Sequence, residues 1–162
     1  MAVDMLIKIG DIVGESKVDG HDGEIDVLSW SWGMTQSGSW STGGGGGSGK
    51  ANIQDLSFTK KVDTSTSALM RACATGDPIG KSTLLVRKAG GSGGPLDYIQ
   101  IDLTDSIVTS VQTGGSGGEE ELTENVTLNF AMISFKYQPQ STTGTSAGNF
   151  PFEFNITTGK SS

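Results

Sequence analysis

The stretch Glu124-Asn125-Val126-Thr127-Leu128-Asn129-Phe130-Ala131-Met132-Ile133-Ser134-Phe135-Lys136-Tyr137-Gln138 decides the fold. Val126, Leu128, Phe130 and Met132 fall on even positions, whereas Ile133, Phe135 and Tyr137 fall on odd ones. Strict alternation marks a strand with one buried face. A change of parity inside the run implies an extra residue, a bulge that swaps the faces and bends the strand. The same change occurs in Ile25-Asp26-Val27-Leu28-Ser29-Trp30-Ser31-Trp32, where Ile25 and Val27 are odd and Leu28, Trp30 and Trp32 are even. Two bent strands in one chain point to a sheet that curls or passes into a second sheet.

Working outward, Met5, Ile7 and Ile9 share a face of a first strand, and further strands are expected at Ile53–Lys60, Lys81–Lys88 and Leu96–Thr104. Ile107–Thr113 reads as another strand after a tight turn. One helix is expected at Ser65–Thr75. Asp63, Thr64 and Ser65 offer N-caps, Leu69, Ala72 and Cys73 form an apolar stripe, and Gly76 and Pro78 supply the stop. The expected fold is mainly β: a β-barrel or two packed antiparallel sheets with one flanking α-helix. The 162 residues suit one domain over residues 1–162, long enough to bury about 70% of its unfolded surface without a disulfide or metal. The tail at 157–162 reads as frayed.

Glycine is concentrated in Gly43–Gly49, Gly90–Gly94 and Gly114–Gly118. The last two lie between strands and read as hairpin loops. The first sits in a longer segment, Met34–Asn52, without regular pattern, and structureless loops of that length are usually functional or disordered.

Composition excludes several classes. A net charge of −7 and the absence of a basic run disfavour nucleic acid and anionic membranes. The N-terminal stretch has neither a basic region nor a long apolar core, so no secretory signal is expected, and no apolar run is long enough to insert in a membrane. Cys73 is the only cysteine, which fits a buried thiol in a reducing compartment, so the chain is expected to be made in the cytoplasm.

Most motifs that look chemical fail on context. Gly44 and Gly49-Lys50 fit a phosphate loop, but Ala51 stands where a hydroxyl should hold magnesium. Gly90–Gly94 and Gly114–Gly118 match the nucleophile-elbow pattern around Ser92 and Ser116, yet strands are expected on both sides, where an elbow needs a following helix. His21, the only histidine, sits among Asp19, Asp22 and glycines in a turn, which suits a surface residue better than a general base. No catalytic residue, cofactor site or metal site is expected. Glu119, Glu120 and Glu121 read as a solvated acidic loop or a pairing patch for a neighbouring subunit. Trp30, Trp32 and Trp40 suit core or interface packing, the sharper alternative being a sugar-binding platform of exposed, coplanar rings.

Several stretches resemble the haemolysin-coregulated protein (Hcp) family of bacterial type VI secretion systems. They are Ile7-Lys8-Ile9-Gly10-Asp11, Gly14-Glu15-Ser16-Lys17, Ile25 to Met34, Gln54-Asp55-Leu56-Ser57-Phe58-Thr59-Lys60, Val86-Arg87-Lys88-Ala89-Gly90, Leu122 to Phe130 and Tyr137-Gln138-Pro139-Gln140. The matches run in order as far as Gln140. The resemblance implies a non-enzymatic subunit that forms hexameric rings. Rings stack into a tube, driven by a contractile sheath and capped by a spike-tip protein, and the lumen chaperones effector proteins. Secretion by that machine needs no signal peptide. By the family's pattern Ser31 is a cargo contact on the lumen wall. The glycine-rich loop at 38–50, with Gly43, Gly44, Gly45, Gly46, Gly47 and Lys50, is the protruding loop that touches the next ring. The alternative that keeps the fold is a tube protein of a phage tail or another contractile machine.

Overall fold

The computed structural model describes residues 3–39, 47–48, 50–88, 94–139 and 148–162. The main strands are β1 (Val3–Ile9), β2 (Ile25–Asp26), β3 (Ser29–Ser31), β8 (Leu56–Lys61), β9 (Gly80–Lys88), β10 (Leu96–Thr113), β11 (Thr123–Asn129), β12 (Met132–Tyr137), β13 (Phe150–Asn155) and β14 (Lys160–Ser161). Four two-residue strands, β4 (Met34–Thr35), β5 (Gly38–Ser39), β6 (Gly47–Ser48) and β7 (Asn52–Ile53), fall between β3 and β8, and the helix α1 spans Thr66–Thr75.

All pairings are antiparallel. One sheet runs β2-β1-β9-β10-β12-β13-β14, and the other runs β3-β8-β11-β10. β10 belongs to both: residues 99–104 pair with β12, and residues 107–113 pair with β11. The tight turn expected between Leu103 and Ile107 is therefore absent. Instead the register slips between Leu103 and Ser106, and Asp105 takes a left-handed conformation at φ 54°, which aspartate tolerates better than most side chains. Buried Ser106 fixes this corner, bonding Gly80 O at 2.6 Å and Ser82 Oγ at 2.9 Å.

The two parity changes mark the same kind of corner. In 124–138 the chain leaves one sheet after Asn129 and joins the other at Met132, so the single bent strand is two, β11 and β12. In 25–32 the change falls between Val27, whose N–H reaches Met5 O at 2.9 Å, and Leu28, whose N–H reaches Thr59 O at 2.8 Å. Met5 and Thr59 lie in different sheets, so the joint carries the chain across. Among the described residues no ladder joins β1 to β8, and the sheets do not close into a hydrogen-bonded barrel.

The core fills the space between the sheets. Ile7, Ile9, Leu84, Ile101, Leu103 and Ile133 come from one sheet, Leu56, Phe58, Val108, Val126 and Leu128 from the other, and Leu69 and Ala72 from α1. The helix begins at Ser65 and ends on Gly76, whose φ of 71° and N–H bond to Ala72 O at 2.9 Å form the stop read from the sequence. Its start is tied by one of the expected residues. Ser65 makes no side-chain cap; of the three candidates Asp63 is engaged, its Oδ1 accepting the Ser65 N–H at 2.9 Å, while Thr66 Oγ1 accepts the Asp63 N–H at 3.1 Å.

Three further departures concern the periphery. The segment Met34–Asn52 is not patternless: β4 pairs with β7 and β5 with β6, making short ladders on the way to the glycine run. β13, unexpected from the sequence, pairs along all of β12. The tail expected to fray turns at Thr157–Gly159 and pairs as β14 with β13, Ser162 and Glu153 exchanging backbone bonds of 3.0 and 3.2 Å. Gly114–Gly118 joins β10 to β11 as the hairpin loop expected.

Candidate cargo-facing wall

The second sheet has one face in the core and one in solvent. Period two sends Leu56, Phe58, Val126 and Leu128 inward and Ser57, Thr59, Asn125, Thr127 and Asn129 outward. Register sets these outward side chains beside Ser29 and Ser31 of β3, which face Thr59 and Ser57, and beside Ser110 of β10, which faces Thr127. A register slip after Val108 turns Thr109 outward as well. The face is thus built from hydroxyl and amide groups drawn from all four strands.

These groups bond mainly to one another. Ser57 Oγ and Thr59 Oγ1 donate to Asn125 Oδ1 at 3.3 and 3.5 Å. Thr127 Oγ1 lies 2.7 Å from Thr109 Oγ1 and 2.6 Å from Ser110 Oγ. Asp55 brings a carboxylate to the rim, and both its oxygens are taken, by Thr109 Oγ1 at 2.7 Å and Asn129 Nδ2 at 2.8 Å. Lys61 at the other end pairs with Glu121 at 2.6 Å. A shallow depression of about 230 Å³ lies in this face, lined by Ser29, Ser31, Ser57, Thr59 and Asn125 together with Trp30 and Phe58.

Ser31, the contact named from the family pattern, is exposed on this face. Ser29 and Asn125 share the depression with it; the signal that could have found them is the alternation Ser29-x-Ser31 and Asn125-x-Thr127. Lys50 is exposed beside the short ladders. Gly47 stands in β6, while Gly43, Gly44, Gly45 and Gly46 lie outside the described residues, as do Trp40 and Ser92. Trp30 and Trp32 pack against the core and offer no open pair of rings. Ser116 Oγ accepts the Gly118 N–H at 3.4 Å in an exposed turn, and His21 Nδ1 is engaged with Glu24 Oε2 at 2.6 Å, so neither is arranged as nucleophile or base. Among the described residues no three His, Cys, Asp or Glu side chains sit together as a metal would require. Nor is any helix there long and apolar enough to cross a membrane.

Behind the wall, Lys60 and Glu124 point inward from opposed positions and form a fully buried ion pair. Lys60 Nζ also donates to Asp63 Oδ1 at 3.0 Å, Thr66 Oγ1 at 3.2 Å and Lys61 O at 2.9 Å, and Thr66 Oγ1 donates to Glu124 Oε1 at 2.6 Å. This network fastens the start of α1 to β8 and β11. At the far end of the first sheet, Tyr98 and Tyr137 meet edge-on at 5.2 Å with Lys88 Nζ 3.6 Å over the Tyr98 ring. The hydrogen bond with Tyr98 holds the Tyr137 phenol above its ordinary pKa.

The architecture defines a two-sheet antiparallel β protein with a bare, polar sheet face. Comparison with known proteins makes the class specific. The family described as type VI secretion system effector, Hcp, matches residues 6–137. Protein hcp1 of Pseudomonas aeruginosa is 59% identical over 148 residues, 91% of each chain. The crystal structure of Hcp1 from Salmonella typhimurium superposes with a TM-score of 0.81 at 32% identity, covering 100% of both chains. A solved type six secretion system protein gives a TM-score of 0.91 at 27% identity over 99% of this chain and 100% of that one. The chain belongs to the Hcp family of type VI secretion proteins.

Proposed function

We propose that the chain is a non-enzymatic tube subunit: copies close into a hexameric ring, rings stack, and the polar wall faces the lumen, where effector proteins are carried and chaperoned. The observation that carries this reading is the second sheet itself. It has two open edges, β3 on one side and residues 107–113 of β10 on the other, neither with a further strand partner among the described residues. Open edges invite pairing with another chain. Seating β3 of one copy beside β10 of the next repeats a head-to-tail contact, which generates a closed ring when the rotation fits. The wall then continues from copy to copy with its hydroxyls and amides on one surface.

The remaining partners follow from the family: the spike-tip protein, the contractile sheath and effectors of the secretion machine, with export through that machine. Native mass measurement and sedimentation of the purified chain test the reading. A particle of six chain masses is expected, with higher multiples at high concentration where rings stack. A particle that stays monomeric at high concentration would sink it.

A further inference from the structure

Most polar groups around the depression are already used. Ser57 and Thr59 donate to Asn125 Oδ1 at 3.3 and 3.5 Å, with its Nδ2 turned away from them. Among the described residues that Nδ2 group has no hydrogen-bond partner, and neither have the hydroxyls of Ser29 and Ser31, which lie on the same face of β3 about 7 Å apart. The depression therefore offers one neutral N–H donor group and two hydroxyls that donate or accept. Among the described residues no charged side chain lines the depression. Asp55, the acid on this face, is bonded through both oxygens, and Lys61 is engaged with Glu121.

We propose that Ser29, Ser31 and Asn125 form a neutral dish that takes an uncharged amide of a cargo protein, such as an asparagine or glutamine side chain or an exposed main-chain amide; this rests on reading the face as cargo-facing. The amide carbonyl accepts from Asn125 Nδ2, and the amide N–H donates to Ser29 Oγ or Ser31 Oγ. An ammonium or a carboxylate seated in the depression would give up hydration without a counter-charge among the residues that line it. Neutral hydrogen bonds replace water at little cost and select against charge, so cargo is held without ionic anchors. Six copies around a ring would add weak contacts into useful retention.

The test uses the full chain and one small single-domain carrier protein in three versions, bearing Asn/Gln, Lys or Glu on the same exposed face. Co-sedimentation should retain the Asn/Gln version best, equally at about 0.05 M and about 0.5 M salt. The double substitution Ser29→Ala/Ser31→Ala should weaken that retention about tenfold. Asn125→Asp keeps the shape and the bonds from Ser57 and Thr59, and should move the preference to the Lys version with strong salt dependence. Preference of the unaltered chain for the Lys or Glu version, or retention unchanged in the double serine variant, would overturn the proposal. Native mass of the same samples separates the two readings. Rings without amide preference defeat this inference alone, and amide preference without rings defeats the ring reading alone.

Discussion

Lys60 is a cation without access to solvent, and its environment explains why it is tolerated. Its ammonium meets Glu124, Asp63, Thr66 and a backbone carbonyl, so every N–H has a partner. The pair also guards register. Thr59 and Asn125, the neighbours of Lys60 and Glu124, face the wall, and a slip of one residue in either strand would exchange wall and core. Lys60→Met should cost about 3–5 kcal/mol, because Glu124 is left buried without its counter-charge. The double variant Lys60→Met/Glu124→Leu should fall within about 1–2 kcal/mol of the unaltered chain, since a packed apolar pair removes the desolvation penalty on both sides. Urea denaturation of the three chains checks this, and equal losses for the single and double variants would contradict it.

Among elements, the short ladders β4/β7 and β5/β6 form a two-strand stem leading to the glycine run. On the ring reading this stem carries the contact between stacked rings. Deleting Gly43–Gly47 should then weaken stacking and leave the hexamer intact, because the wall sheet and its edges lie elsewhere; rings that fall apart in sedimentation would refute the assignment. The elements also show what a single sequence discloses. The corner at Val27/Leu28 and the one after Asn129 were legible because a change of sheet changes the parity, although the alternation puts the second at Met132/Ile133, a few residues late, as a bend within one strand. The corner at Asp105 was not, since two polar residues, Asp105 and Ser106, between alternating runs look like a turn. Only the buried bonds of Ser106 to β9 reveal a continuous strand. β13 escaped because Pro151 argues against a strand inside a sheet. In the structure Pro151 has a ladder partner only in β12, since β14 joins β13 at Phe154 and Asn155, so the proline keeps an edge position. As for the wall, the outward positions of Asn125, Thr127 and Asn129 could be read locally. Their meeting with Ser29 and Ser31 could not, since it depends on the registers of strands distant in the chain.

For the whole molecule, the decisive feature is that β10 serves both sheets. Neither can be removed while the other keeps all its neighbours, and the core draws side chains from both. Trp30 and Trp32 report on the region of the second sheet, and far-ultraviolet circular dichroism on all strands. Denaturation followed by indole fluorescence and by dichroism should give coincident curves with one midpoint. Separate midpoints would mean that the sheets melt independently. A polypeptide welded along one shared strand has no half-melted form to fall back on. On the tube reading, such a subunit either withstands mechanical loading intact or gives way all at once.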